Sequence, residues 1–497
     1  MTRANITIAI LAVLILVLCG LCYVGKPLIT GQYVPAMGTL VKNIDETRTG
    51  HKIFKHYFKR LDNFVKYGVV PSKVVTAQDK EKVDTYLLTS LFTGLVALAG
   101  FFASAALFAI NSGQQATISK PRMVLTVAIV ILAGTAIRLI LAAAIYGNID
   151  TQSYEIVAGI VGKGGNVYAE TSRYNYSPVW FTVLFALKRI QLALPGVPFH
   201  FVIRSFLCGV DLLTLGVLLL IAGVLKLPAV RTAIFFYLCP ITFLITGYHG
   251  QFENLAMLMV LIGIYMYLRF ATRPVLRTAL LWLFATAGMI VKHNIFYELI
   301  ICLHSSIKRY WIKVPLFVIS VIIFLSTFIP YWEEGGKGII NNVFKYNSDI
   351  GAYGVTLLFM LPGLKYLFIV AMFIFPFFLK SKDIIAQCLV GVLFFLTFTT
   401  GISVQYFVLP VALGAIRPSK FFLSYTLVAS LFILGIVSNV FMPGFSLFQW
   451  NVVWVGAACW FIAEMWLDRQ STEGETERLQ GLQVEKAAGS FRRGHNK

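Results

Sequence analysis

Charge is what this chain has least of. Asp, Glu, Lys and Arg make up only 13% of its 497 residues, while 58% are hydrophobic and the mean hydropathy is +0.78. A soluble domain carries about twice that share of charge, so an ordinary water-soluble globule is excluded and a polytopic membrane protein is expected. No alternating pattern of the kind a membrane β-barrel needs is present, which leaves helices as the spanning elements. Acidic residues are the scarcest charged class, 22 against 42 basic, for a net charge of +20. No basic domain interleaved with aromatics is visible, so no nucleic-acid partner is expected. The positive excess reads as cytoplasmic Lys and Arg under the positive-inside rule, and it would also favour anionic lipid or a phosphate-bearing substrate. Cysteines number seven, all in apolar segments and none in a polar loop. That spacing predicts neither a disulfide framework nor a zinc site. No solenoid repeat is seen.

What is present is a succession of apolar runs. Ile6 to Val24 reads as an uncleaved N-terminal anchor or, alternatively, a cleaved signal peptide, so residues 1–25 form a first unit. Residues 26–85 form a polar, basic segment placed on the outer side. Residues 86–467 hold the remaining spans, and 468–497 read as a charged, disordered cytoplasmic tail. In all, about fourteen helical spans are expected by the roughly 20-residue criterion, with both termini inside. Within that scheme Pro178 to Leu194 is too short and too basic to cross, and is predicted to lie as an interfacial helix. Thr232 to Thr246 is predicted as one span, and Trp332 to Tyr353 as an outer loop.

The polar residues that membrane insertion does not explain fall on one side of that topology. They are Asp150, Tyr154, Arg173, Tyr176, His249, Gln251, Glu253, Asn254, Lys292, His293, Asn294, Lys345, Asn347, Asp349, Gln405 and Tyr406. The inner side carries mainly Lys and Arg. Asp150 stands at the mouth of the run Met123 to Ile145, where a carboxylate is costly unless it has a use. It is a candidate general base or, alternatively, a helix cap. Lys292 follows a short apolar segment, suited to an anion or to snorkelling toward the interface. Arg138 and Asp211 lie inside spans and are expected to pair with polar neighbours in structural roles. His249 and His293 read as hydrogen-bonding groups rather than metal ligands, and Glu333 and Glu334 as solvated.

The order of these motifs resembles the GT-C glycosyltransferases. Asn148-Ile-Asp150, Tyr154, Tyr168 and Arg173-Tyr-Asn-Tyr-Ser-Pro178 are similar to their first outer loop. The pattern is that of the first mannosyltransferase of GPI-anchor synthesis and its bacterial polyprenol-dependent relatives. Asp211-Leu-Leu-Thr214 follows in the next span. Tyr248-His-Gly-Gln-Phe-Glu-Asn254 looks like the Gly/His/Gln motif of the next outer corner, shared with the dolichol-linked glucosyltransferases. Lys292, Phe344-Lys-Tyr-Asn347 and Ser403-Val-Gln-Tyr-Phe407 follow in order. The likeness covers roughly Val124 to Trp466.

The resemblance implies an all-α GT-C bundle. It implies an inverting transfer of a mannose-like or glucose-like hexose from a polyprenyl-phosphate donor to a glycan or glycolipid acceptor. The membrane would be a bacterial plasma membrane with an outer-facing site or, alternatively, the endoplasmic reticulum with a lumenal one. Asp150 would be the base. Lys292, Arg173 and Lys345 would hold the donor phosphate, and Tyr154, Tyr176, His249, Gln251, Asn254, Gln405 and Tyr406 the sugars. The relatives often pair two acids in the first loop. Here the earlier position is Asn148, so a divalent metal has no support from the motif and no cofactor beyond the lipid-linked donor is implied. The rival reading is a transporter or lipid-linked sugar flippase, for which inverted repeats and charges near the bilayer midplane are expected.

Overall fold

The structure, a computed structural model, describes residues 98–103, 119–144, 149–346, 353–354, 364–381, 383–438 and 451–468. The anchor 1–25, the segment 26–85, Asn148, Asn347, Asp349 and the tail after 468 therefore lie outside the described residues.

Every regular element described is helical, with no strand. The principal helices are α1 (Lys120–Ala144), α2 (Ile149–Gly162), α3 (Pro178–Leu192), α4 (Phe199–Val224) and α5 (Ala229–Tyr237). They continue as α6 (Glu253–Arg269), α7 (Pro274–Val291), α8 (Phe296–Ser306), α9 (Tyr310–Ser326), α10 (Leu364–Ile374), α11 (Ile384–Phe398) and α12 (Lys420–Ser438). Four helical stretches are long and apolar enough to cross a bilayer: Lys120–Ala143, Phe199–Val224, Pro274–Val291 and Tyr310–Phe344. A bent pair, Ala229–Tyr237 with Pro240–His249, makes a fifth if counted as one span. The expected count of about fourteen is not reached among the described residues. Several apolar runs that read as spans are broken into helices of 10–17 residues.

Two of those breaks correct the sequence reading. The span expected over Thr232 to Thr246 divides at Leu238–Cys239, and its halves meet at 44°. Pro240 stands at the first position of the second half, where its missing N–H does no harm. A π-helical turn, Leu244–His249, follows and ends at Gly250, whose φ of 72° is left-handed. A side chain there would be strained. The second correction concerns Trp332 to Tyr353. Its first half is helical, Trp332–Gly338 and then the π-turn Ile339–Phe344, continuing the long apolar stretch from α9. Only 17% of that stretch's apolar window is buried, so most of its surface is left for lipid. The 15-residue α3, too short to span, does form where an interfacial helix was expected. Trp180, Phe181, Leu184 and Leu187 are buried, and Arg189 is exposed on the opposite side.

Close contacts fix the helix directions. Arg138 of α1 bonds Asp211 of α4, and Arg204 of α4 bonds the Ala142 carbonyl of α1, so the two helices run antiparallel. Gly288 of α7 packs so tightly on α6 that a Cβ there would sit 2.9 Å from the Ala256 oxygen. Gly263 meets Leu281 in the same way, which makes α6 and α7 an antiparallel hairpin. Small residues at such crossings let membrane helices gain dispersion contacts that hydrophobicity alone does not supply in lipid. These directions bring the start of α2, the end of the π-turn, the start of α6 and the end of α7 to one end of the bundle.

Candidate functional site

At that end, four separate stretches of sequence supply one polar cluster. Asp150 lies in the first turn of α2 rather than ahead of it, where a carboxylate favours the helix dipole. Its Oδ2 accepts a hydrogen bond from Gln251 Nε2 at 2.6 Å, and Tyr154 donates to Gln251 Oε1 at 3.0 Å. The Gln251 amide thus ties the carboxylate to α2 one turn further on. Asp150 is half-buried, while Gln251 is sealed. Burial first, then the charge of Asp150, holds the Tyr154 hydroxyl well above its usual range. Tyr176 is pushed the same way by burial and by Tyr154 and Asp150. Both phenols therefore stay protonated and act as donors, not bases.

The second half of the cluster is an ion pair. Lys292, just past the end of α7, donates to Glu253 Oε1 at the start of α6, and both are buried. The ammonium also lies 4.9 Å from the Tyr176 ring centroid and 4.5 Å from that of Phe252. Phe252 stacks on Trp180 at 4.0 Å and meets Tyr176 edge-on at 4.9 Å, so an aromatic wall replaces lipid around the charge. Such faces stabilise a desolvated cation. Glu253 Oε2 has no hydrogen-bond partner. His249 lies close enough to Asp150, Arg204 and Lys292 to feel all three charges. The two halves are thereby one neighbourhood.

The Arg173–Pro178 segment is what holds the aromatic wall. Tyr174 donates to the Ser177 carbonyl at 2.5 Å and accepts from the Phe181 N–H at 3.0 Å. Tyr168 donates to the Tyr176 carbonyl at 2.9 Å. Ser177 Oγ donates to the Ile290 carbonyl at 2.5 Å, pinning the loop to the last turn of α7, two residues before Lys292. The motif thus sets where Tyr176 sits over the ammonium.

The other expected site residues divide. Arg173 donates to Gln152 Oε1 at 2.7 Å, on the same α2 turn as Asp150. Asn254 points away from the cluster and donates to Asp211 Oδ1 at 2.6 Å. Gln405 accepts from Ser403 in a 3₁₀ turn that packs beside the π-turn. Tyr406 packs edge-on against Phe395 at 5.7 Å. Lys345 is exposed, although its neighbour Tyr346 comes near Tyr176. The polar neighbour that each of Arg138 and Asp211 finds is the other, at 2.7 Å and fully buried. Sequence reading did not place Arg204 or Phe252 at the site. Arg204 is 1% exposed, and its Nε would lie 3.4 Å from a Cβ on Gly250, directly beneath the corner. The cost of an arginine inside an apolar run was the available signal.

Two carboxylates, an ammonium and a guanidinium thus meet at the end of a helical bundle, walled by aromatics. Among the described residues, Asp150, Glu253 and His249 do not form a three-ligand metal group. No family model, curated protein or solved structure matches the chain.

Proposed function

We propose that this protein is a membrane glycosyltransferase that takes a mannose-like or glucose-like hexose from a polyprenyl-phosphate donor and inverts its anomeric centre. Asp150 removes the acceptor hydroxyl proton as that oxygen attacks the anomeric carbon. The carbon–oxygen bond to phosphate breaks, and polyprenyl phosphate leaves. The observation that carries this reading is the meeting of Asp150 with Lys292 and Arg204 at one helix end. A base and cations suited to a leaving phosphate stand together there. Lys292 is already paired with Glu253, so the donor phosphate competes with that carboxylate or shares its ammonium. Gln251, Tyr154, Tyr176, His249, Gln405 and Tyr406 are the candidates for sugar hydroxyls. Asn254, committed to Asp211, serves the scaffold in this reading.

A second reading, transport or flipping of a lipid-linked sugar, is favoured by the 44° break and the π-turn beside buried polar groups. Discontinuous helices of that kind line transporter binding sites. One experiment separates the two. Purified protein in lipid vesicles is given radiolabelled polyprenyl-phosphate mannose and glucose with glycolipid acceptors. New labelled glycolipid supports transfer. Faster movement of intact donor between leaflets, without new product, supports the second reading and overturns the first.

A further inference from the structure

One cluster of donor atoms lies apart from the residues assigned above. Glu298 and Cys302 are four residues apart on α8 and therefore share a face. Cys388 faces them from α11, which packs along α8. A carboxylate oxygen of Glu298 and the two Sγ atoms all lie within 4.8 Å of one another, and all three residues are buried.

Packing explains part of this. Cysteine is a small apolar residue at home in a core, and two thiols 3.9 Å apart make an ordinary weak contact. It does not explain Glu298. The residue is completely buried, and the donor beside its carboxyl is the Cys388 thiol, a weak one that meets neither oxygen in good hydrogen-bond geometry. A buried carboxyl served only weakly by a thiol is among the costlier groups a core can hold. Beside it the Tyr297 hydroxyl is also buried and unbonded, close to the Cys388 thiol. By contrast, the buried Asp211 accepts from Arg138, Thr246 and Asn254.

The donor set and its spacing fit a metal. Zinc binds thiolate sulfur at about 2.3 Å and carboxylate oxygen at about 2.0–2.2 Å with tetrahedral angles, which sets two sulfurs about 3.8 Å apart. The thiol pair stands at 3.9 Å. Thiolates select soft or borderline cations over magnesium or calcium, and a carboxylate as third ligand favours zinc over copper(I). Three protein ligands leave a fourth position to water, as in sites that are not purely structural. Loading releases the two thiol protons and any proton on Glu298, as the cation forms bonds to both sulfurs and to the carboxylate; no electron is transferred.

We propose that Glu298, Cys302 and Cys388 form a zinc-class metal site that clamps α8 to α11. This is independent of the glycosyl-transfer reading, which routes nothing through these residues. The clamp would fix α8 directly after Lys292, so a metal here would stiffen the helix that follows the candidate site.

The test uses the full chain in detergent with a non-thiol reductant. Metal content is measured by mass spectrometry after addition of Zn²⁺ and removal of excess. Co²⁺ is then substituted, and thiolate-to-cobalt charge-transfer absorption is recorded. One zinc per chain and a two-thiolate cobalt spectrum are expected. Cys388→Ser should abolish the two-thiolate spectrum, and Glu298→Gln should weaken zinc by at least about tenfold, the lower end of what outer ligands contribute. Cys208→Ser, a buried thiol elsewhere, should change nothing. Wild-type protein that is folded by gel filtration but takes up neither metal overturns the proposal. So does an unchanged cobalt spectrum in folded Cys388→Ser. If variants fail to fold, the wild-type spectrum alone decides.

Discussion

Two buried ion pairs sit one helix apart, and they are built differently. Around Arg138–Asp211 every group has a partner. The guanidinium bonds Asp211, the Gly134 and Tyr237 carbonyls and Thr242, and lies 4.2 Å from the Tyr237 ring centroid. The carboxylate accepts two more bonds, from Thr246 and Asn254. Around Lys292–Glu253 the ammonium has one carboxylate and two ring faces, and Glu253 Oε2 has no partner. A fully bonded pair resists rearrangement, whereas a pair with an open oxygen and a half-buried acid beside it can exchange partners with a ligand. The first pair locks α1, α4 and the broken span together. The second is where chemistry can enter.

The largest effect that tests this contrast is Asp211→Asn. It leaves Arg138 as an uncompensated buried charge, and about 3–5 kcal/mol of stability should be lost, measured as a fall in thermal midpoint in detergent. The paired change Arg138→Met with Asp211→Leu should recover much of that loss. Retained stability in Asp211→Asn would dissolve the distinction between the two pairs.

Asp150→Asn should leave the midpoint nearly unchanged but lower transfer by about 10²–10⁴-fold, the usual contribution of a general base. The amide keeps the shape and can still meet Gln251. Normal turnover would shift the search for a base to Glu253.

Glu253→Gln sharpens the comparison directly. Its loss should be about 1.5–3 kcal/mol, that of a charged hydrogen bond, and less than that of Asp211→Asn. The reason is that Asp150 remains within electrostatic reach of Lys292. Lys292→Met should raise the KM for donor and also cost stability, because Glu253 is left buried without its cation. An unchanged KM would return Lys292 to a packing role. The smallest effect belongs to Lys345→Ala. The residue is exposed, so stability should move by no more than about 0.5 kcal/mol, and any change should appear only in donor affinity.

Much of the site was legible because polar residues in an apolar chain are conspicuous. Asp150, Tyr154, His249, Gln251 and Lys292 each interrupt or end an apolar run, and that alone marked them. Asn254 was marked by the same rule yet serves Asp211, because a linear reading cannot tell to which side of a helix start an amide turns. Arg204 was passed over for the opposite reason. It lies inside an apolar run, and only the antiparallel packing of α4 on α1 carries it up beneath Gly250.

By itself the sequence determined that the chain is helical and apolar, with its unusual polar groups at the ends of apolar runs, since lipid solvation sorts residues one at a time and leaves that sorting in composition and order. Only the tertiary structure decided which run breaks, at Leu238–Cys239, which acid pairs with which base, and that Cys302 meets Cys388 across 86 residues. The reason is physical. Membrane insertion fixes whether a residue is costly, a property of one side chain and its depth, whereas pairing depends on helix direction and rotation, which are set by close contacts such as Gly288 on Ala256 that no single run contains.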